Sequence, residues 1–144
     1  AQIGRMMQVS HDGDRVSSFS EDWQELPFHA PIDNAYLLQL LADLESGLPE
    51  RVIAAQLLWQ PGAYACSLPA IDLMVDIALR SPGVEGAQLA GAGLGGCMMV
   101  LCRADHVDQL KERLQSLYYE RHGLNPASLV CRPVAGGGML IFDK

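Results

Sequence analysis

The sequence predicts an α+β fold, a mainly antiparallel sheet with helices on one side. Three observations carry this. Two stretches repeat apolar residues at helical spacing, a short β-compatible run lies between them and another follows, and glycines bound both runs. The element order is helix, strand, glycine loop, strand, helix, strand. There is no internal repeat and no low-complexity tract.

Taken in order, "AQIGRMMQVSH" places Ile3, Met6, Met7 and Ser10 at helical spacing from the first residues. A helix without a cap or an initiator Met reads as a longer chain cut short, and tag removal would give the same start. "HDGD" then supplies turn formers. Residues 17–31 carry two prolines and no clear period, which reads as a loop.

Tyr36, Leu37, Leu40, Leu41 and Leu44 form a helical stripe that Asp33 can cap and Gly47 can end. A second short helix follows, with Pro49 in its first turn and Val52, Ile53 and Leu57 on one side, stopped by Pro61-Gly62.

The clearest helix is "SLPAIDLMVDIALRSPG". Ser67 is the predicted N-cap, Pro69 lies in the first turn, and Ile71, Met74, Val75, Ala78 and Leu79 repeat on one face. From Asp105 to about His122, Val107, Leu110, Leu114, Leu117 and Tyr118 turn inward and Lys111, Glu112 and Arg113 outward, closed by Gly123 and Pro126. "SLVCRPVAGGGMLIF" supplies the last predicted strand, and Gly136 to Gly138 mark a bend or bulge in it.

The 144 residues fit one domain, which at this length buries roughly 70% of its unfolded surface. With 49% hydrophobic and 19% charged residues, the composition is that of a globular protein. A net charge of −7 offers no basic stripe for phosphate backbones, so neither nucleic acid nor an anionic membrane is an expected partner. The longest apolar runs, such as Cys97 to Cys102, fall far short of the ~20 residues of a membrane helix. With no positively charged leader before them, the chain reads as cytoplasmic. Cys66, Cys97, Cys102 and Cys131 lack C-x-x-C spacing and read as buried free thiols.

The chemistry-bearing stretch is "GAQLAGAGLGGCMMVLC", residues 86–102. Gly91, Gly93 and Gly96 match G-x-G-x-x-G, but a dinucleotide loop must open a helix, and "CMMVLC" suits a strand. Without a helix N-terminus the pyrophosphate loses its amide donors and dipole, and no Lys-Ser or Lys-Thr completes a Walker loop. On its own the stretch reads as a glycine-rich hairpin.

Three separated blocks give the stretch more meaning. "GAQLAGAGLGGCMMVL" resembles the third motif of the GHMP kinases, the family named for galactokinase, homoserine kinase, mevalonate kinase and phosphomevalonate kinase. "GRMMQVSH" at residues 4–11 resembles the helix and Ser-His of the galactokinase branch, and "YACSLPAIDLMVDIA" at 64–78 is similar to its Ser-Cys-Pro-Glu-Leu-Asp helix start. The resemblance covers residues 1–16 and 63–140. Ala70 stands where that family has Glu, and residues 17–62 read as a loop and helical insertion.

The resemblance implies a carboxy-terminal GHMP domain over residues 1–144, with a ferredoxin-like fold of four antiparallel strands and helices on one face. It also implies a partner, the amino-terminal domain of the same polypeptide, which carries the main phosphate loop, the catalytic Asp and the sugar-binding residues and is absent from this chain. The full-length kinase would use ATP and Mg²⁺ to phosphorylate the anomeric hydroxyl of a monosaccharide; this chain alone would bind neither cofactor and be inactive. The cleft loop implied here is Gly91, Ala92, Gly93, Leu94, Gly95, Gly96 and Cys97, with no catalytic or metal-ligating residue assigned. A competing reading is a free-standing ferredoxin-like binding or regulatory module without catalysis.

His11-Asp12-Gly13-Asp14 offers several ligand types in four residues, yet neighbours so close rarely converge on one metal, and a solvated helix end is the expectation. His29, His106 and His122 have no Ser or Cys partner at recognisable spacing, so no catalysis is assigned to them. Trp23 and Trp59 are core or interface anchors.

Overall fold

The computed structural model describes residues 2–30, 32–93, 95–132 and 136. In chain order the elements are α1 (Gln2–Asp14), β1 (Ser17–Phe19), β2 (Glu25–Pro27), α2 (Asn34–Glu45), α3 (Pro49–Ala54), α4 (Pro69–Leu79), β3 (Val84–Ala90), β4 (Cys97–Cys102) and α5 (Val107–Leu114). A 3-10 turn at Leu57–Trp59 follows α3 and another at Ala104–His106 leads into α5. Beyond α5 the helix widens into a π turn, Gln115–Tyr119, and tightens to 3-10 at Glu120–His122. Gly123, left-handed at φ +63, then ends it.

The core gathers on α4. Ile71, Val75 and Ala78 are buried as the spacing predicts, with Val75 and Ile77 fully enclosed. Enclosing a side chain of that size contributes about 1.5–3 kcal/mol. Ala87 and Leu89 of β3, with the half-buried Met98 and Val100 of β4, share the sheet face that meets α4. Leu110, Leu114 and Tyr118 close the cluster from α5 and the π turn.

The predicted four-stranded sheet is not what the described residues form. They make two separate two-stranded antiparallel sheets, β1 with β2 and β3 with β4. The first lies in a segment read as a loop; each of its strands is only three residues long, too short to leave a periodic trace. Residues 124–132, where the last strand was predicted to begin, carry no regular structure, and Gly137, Gly138 and the run beyond lie outside the described residues.

Helix α1 buries an unexpected face. Ile3 and Met6 are exposed, whereas Gly4, His11 and Gly13 are buried. A Cβ on Gly4 would run into the Glu85 carbonyl, and one on Gly86 would stand 2.5 Å from the Gly4 α-carbon. The helix therefore meets β3 backbone to backbone at two residues without side chains, beside an irregularity in the β3–β4 register between Val84 and Gly86. Apolar spacing alone points to the wrong face because here absence of a side chain, and not hydrophobicity, permits the contact.

Asp33 caps α2 as expected, accepting from the Tyr36 N–H at 2.8 Å, and Gly47 has φ +67. Asp33→Ala is expected to remove about 1 kcal/mol of local stability, read as faster amide exchange at residues 34–37. Among the described residues the predicted stripe of α2 is only partly covered: Tyr36 and Leu40 are half-buried, but Leu37, Leu41 and Leu44 are exposed, as are Leu38, Ile53 and Leu57. No helix among the described residues is long and apolar enough to cross a membrane.

Candidate functional site

Strands β3 and β4 run from Ala90 to Cys97 across the loop 91–96. Gly91, Gly93, Gly95 and Gly96 have φ of +94, +86, +122 and +104, values that L side chains rarely adopt. The loop is the hairpin tip the sequence predicts, followed by a strand. Gly91, Ala92, Gly96 and Cys97 are exposed, and Gly93 and Gly95 half-buried; Leu94 lies outside the described residues.

One side of the tip is seated. A Cβ at Gly93 would collide with the Cys66 carbonyl oxygen and stand 2.9 Å from the Cys66 Cβ, while one at Gly91 would meet nothing within 4 Å among the described residues. The strip beneath Gly93 hangs from the end of α1. The N–H groups of Tyr64 and Ala65 donate to the Gly13 carbonyl at 2.8 and 3.2 Å, and the Ser67 N–H donates to the Asp14 carbonyl at 2.8 Å. Ala65 holds a left-handed φ of +47, which costs about 1–2 kcal/mol without a glycine and sets the path of the strip. The Cys66 thiol donates to Asp14 Oδ1 at 3.3 Å, and that hydrogen bond with the carboxylate pushes its pKa up.

Behind the tip lies a buried polar cluster that sequence reasoning missed. His11 Nε2 is 3.2 Å from Asp72 Oδ1, with His11 1% and Asp72 0% exposed. On its other side the ring accepts from the Leu89 N–H at Nδ1, 3.2 Å away, so a neutral imidazole carries its proton on Nε2, facing Asp72. One turn on, Arg15 pairs with Asp76 at 2.8 Å. His11 is thus the reverse of a solvated helix end. Among the described residues no three His, Cys, Asp or Glu side chains gather as a metal set.

The two aspartates also hold the chain leaving α1. Asp72 Oδ2 accepts from the N–H groups of Val16 and Ser17 at 3.0 and 2.8 Å, and Asp76 Oδ2 accepts from the Phe19 N–H at 3.1 Å. Residues four apart on a helix are about 6 Å apart along its axis. Two residues along a strand span about 6.6 Å. The Asp72–Asp76 ladder therefore matches the spacing of the Ser17 and Phe19 amides, and helix carboxylates do for β1 what a neighbouring strand would do. Burial pushes the Asp72 pKa up, but the neighbouring His11 and Ser67 side chains and the Ser17 and Val16 amides outweigh it, and the net shift is downward.

A sequence signal for this cluster existed: His11 and Arg15 four apart on one segment, Asp72 and Asp76 four apart on another. Only the fold pairs them. Ser67 is not the cap of α4; Leu68 holds that position, and the Ser67 hydroxyl is turned inward among the groups that lower the Asp72 pKa. The thiols also differ from expectation, with Cys97 and Cys131 exposed and Cys66 and Cys102 half-buried; on β4, Cys97 lies on the uncovered face and Cys102 on the inner one. Trp23 and Trp59 stack under guanidinium groups of Arg80 and Arg5, at 4.9 and 4.4 Å, and so anchor the 17–62 segment.

Cavities among the described residues flank these parts. One of about 450 Å³ lies among Met6 and Val9 of α1, Leu37 and Leu40 of α2, and Leu57. Another of about 980 Å³ is bounded by β4, α5 and residues 124–131 and reaches Gly96 and Cys97; its inner wall is Met74, Met98, Val100, Leu110 and Leu114.

Comparison with known proteins gives the family. Residues 38–120 match the family described as GHMP kinases C terminal. The chain is 39% identical over 57 residues to a galactokinase of Clostridium acetobutylicum, covering 40% of this chain and 15% of that protein. It is 38% identical over 73 residues to one of Chloroflexus aurantiacus, covering 51% and 19%. Over 118 residues it is 31% identical to one of Roseiflexus sp. (strain RS-1), covering 78% and 30%. It therefore spans less than a third of the length of these relatives. On the match over residues 38–120 and these similarities, the chain belongs to the GHMP kinase C-terminal family, on its galactokinase-like branch.

Proposed function

We propose that this chain is the carboxy-terminal portion of a galactokinase-like sugar kinase, which transfers a phosphoryl group from ATP to the anomeric hydroxyl of a monosaccharide. The observation that carries the reading is the hairpin tip 91–97, four left-handed glycines with Gly91, Ala92 and Gly96 exposed, in the string that resembles the family's third motif. Phosphoryl transfer relies on positioning and charge stabilisation, to which close-approaching backbone and its amides contribute. In this reading the tip walls one side of the cleft, and the phosphate loop, catalytic Asp and sugar-binding groups come from an amino-terminal domain.

ATP, when bound, supplies the phosphoryl group. The tip fits a wall beside it, since its glycines leave space at Gly91 and its backbone offers donors. Mg²⁺ finds no ligand set among the described residues. The uncovered leucines of α2, together with Ile3 and Met6 of α1, support a chain that lies against more protein; a free-standing module would be expected to cover such a face.

The test is the full-length protein with ATP, Mg²⁺ and a panel of monosaccharides, followed by ³¹P NMR. A sugar 1-phosphate formed in step with ADP is expected. Absence of transfer to every sugar would sink the reading, and specific micromolar binding of a small molecule by the 144-residue chain alone would favour the non-catalytic module.

A further inference from the structure

We propose that His11 is a positioning residue for the glycine loop, holding its rigid side so that the tip keeps one placement; for its effect on catalysis the proposal rests on the kinase reading above. The last turn of α1 reaches the loop by two routes. The imidazole takes the Leu89 N–H of β3, two residues before the loop begins at Gly91. Two and three residues after His11, the Gly13 and Asp14 carbonyls hold Tyr64, Ala65 and Ser67, the strip on which Gly93 rests.

Strand and floor are thus tied to one helical turn, and the imidazole is the side-chain member of that tie. Its burial at 1% exposure, and the Asp72 carboxylate 3.2 Å from its other nitrogen, hold the ring against rotation. A ring so enclosed has no access to substrate. Its influence runs through the Leu89 amide, and small misplacement of a cleft wall is enough to alter substrate binding.

Two substitutions separate the ring's two contacts in the full-length protein. Asn at position 11 puts an acceptor oxygen where Nδ1 stands and gives up Asp72; Gln reaches toward Asp72 and gives up Leu89. Measured against the amides of α4, so that a change in global stability cancels, His11→Gln is expected to speed amide exchange over residues 89–96 at least ten-fold and to raise the ATP KM at least five-fold, while His11→Asn keeps the relative exchange and KM within about two-fold of wild type. KM is the informative constant, because a smaller folded fraction lowers apparent kcat and leaves KM alone. If both variants behave alike, or the exchange of 89–96 does not move, the positioning role is wrong. Should neither variant fold, the wild-type protein still decides: a ¹⁵N–¹⁵N coupling across the Leu89 N–H and His11 Nδ1 is expected, and its absence, or a proton on Nδ1, overturns the proposal. A wild-type protein that phosphorylates no sugar removes the kinase reading instead, and the exchange and coupling results still stand for or against the positioning.

Discussion

Asp72→Ala is expected to lower stability by about 3–5 kcal/mol, read from urea midpoints. The carboxylate is 0% exposed and its loss strands the Val16 and Ser17 amides, the Ser17 hydroxyl and one face of His11. Truncating one member of a buried charged cluster leaves the others dry and unpaired, which is worse than never having buried them. The effect has a pH signature. The folded pKa lies below the ordinary 3.8, so the stabilisation is present above 3.8 and is lost as pH falls through the lower folded value. The stability gap between wild type and Asp72→Asn should therefore shrink as pH drops below 3.8. A gap that widens on acidification would contradict the cluster as described. Asp12 works in the opposite sense: burial raises its pKa, against the opposing pull of Arg15, and protonating it in acid favours the fold.

Gly93→Val is the second large effect. The new side chain must displace the Cys66 carbonyl, a backbone atom tied through its neighbours to α1, and overpacking of that kind costs about 1–3 kcal/mol. A β-branched residue at φ +86 adds about 1–2 kcal/mol. Gly91→Val is the matched control. Its Cβ meets nothing within 4 Å among the described residues, and it carries only the left-handed term. Equal urea midpoints for the two variants would show that the loop does not rest on the Cys66 strip.

The helices α2, α4 and α5 were legible because apolar spacing and end signals agree, as in Asp33 and Gly47 around α2 or Leu110, Leu114 and Tyr118 around α5. The hairpin was legible from glycines placed between two apolar runs. Its seat was not, since the Gly93–Cys66 contact joins residues 27 positions apart and neither residue type announces it. The single four-stranded sheet, inferred from resemblance, gives way among the described residues to two ribbons, one of them closed along its edge by aspartates of a helix.

The chain by itself determined where it coils, where it turns and which string joins it to a kinase family, because those depend on neighbours three or four residues away and on backbone freedom at glycine. The fold alone decided that His11 faces Asp72 and the Leu89 amide, and that α1 is pressed on β3 through Gly4 and Gly86. Pairing of this kind is a property of which surfaces meet. A buried polar group is stabilised only by a partner brought from elsewhere in the chain, and local spacing carries no record of where that partner lies.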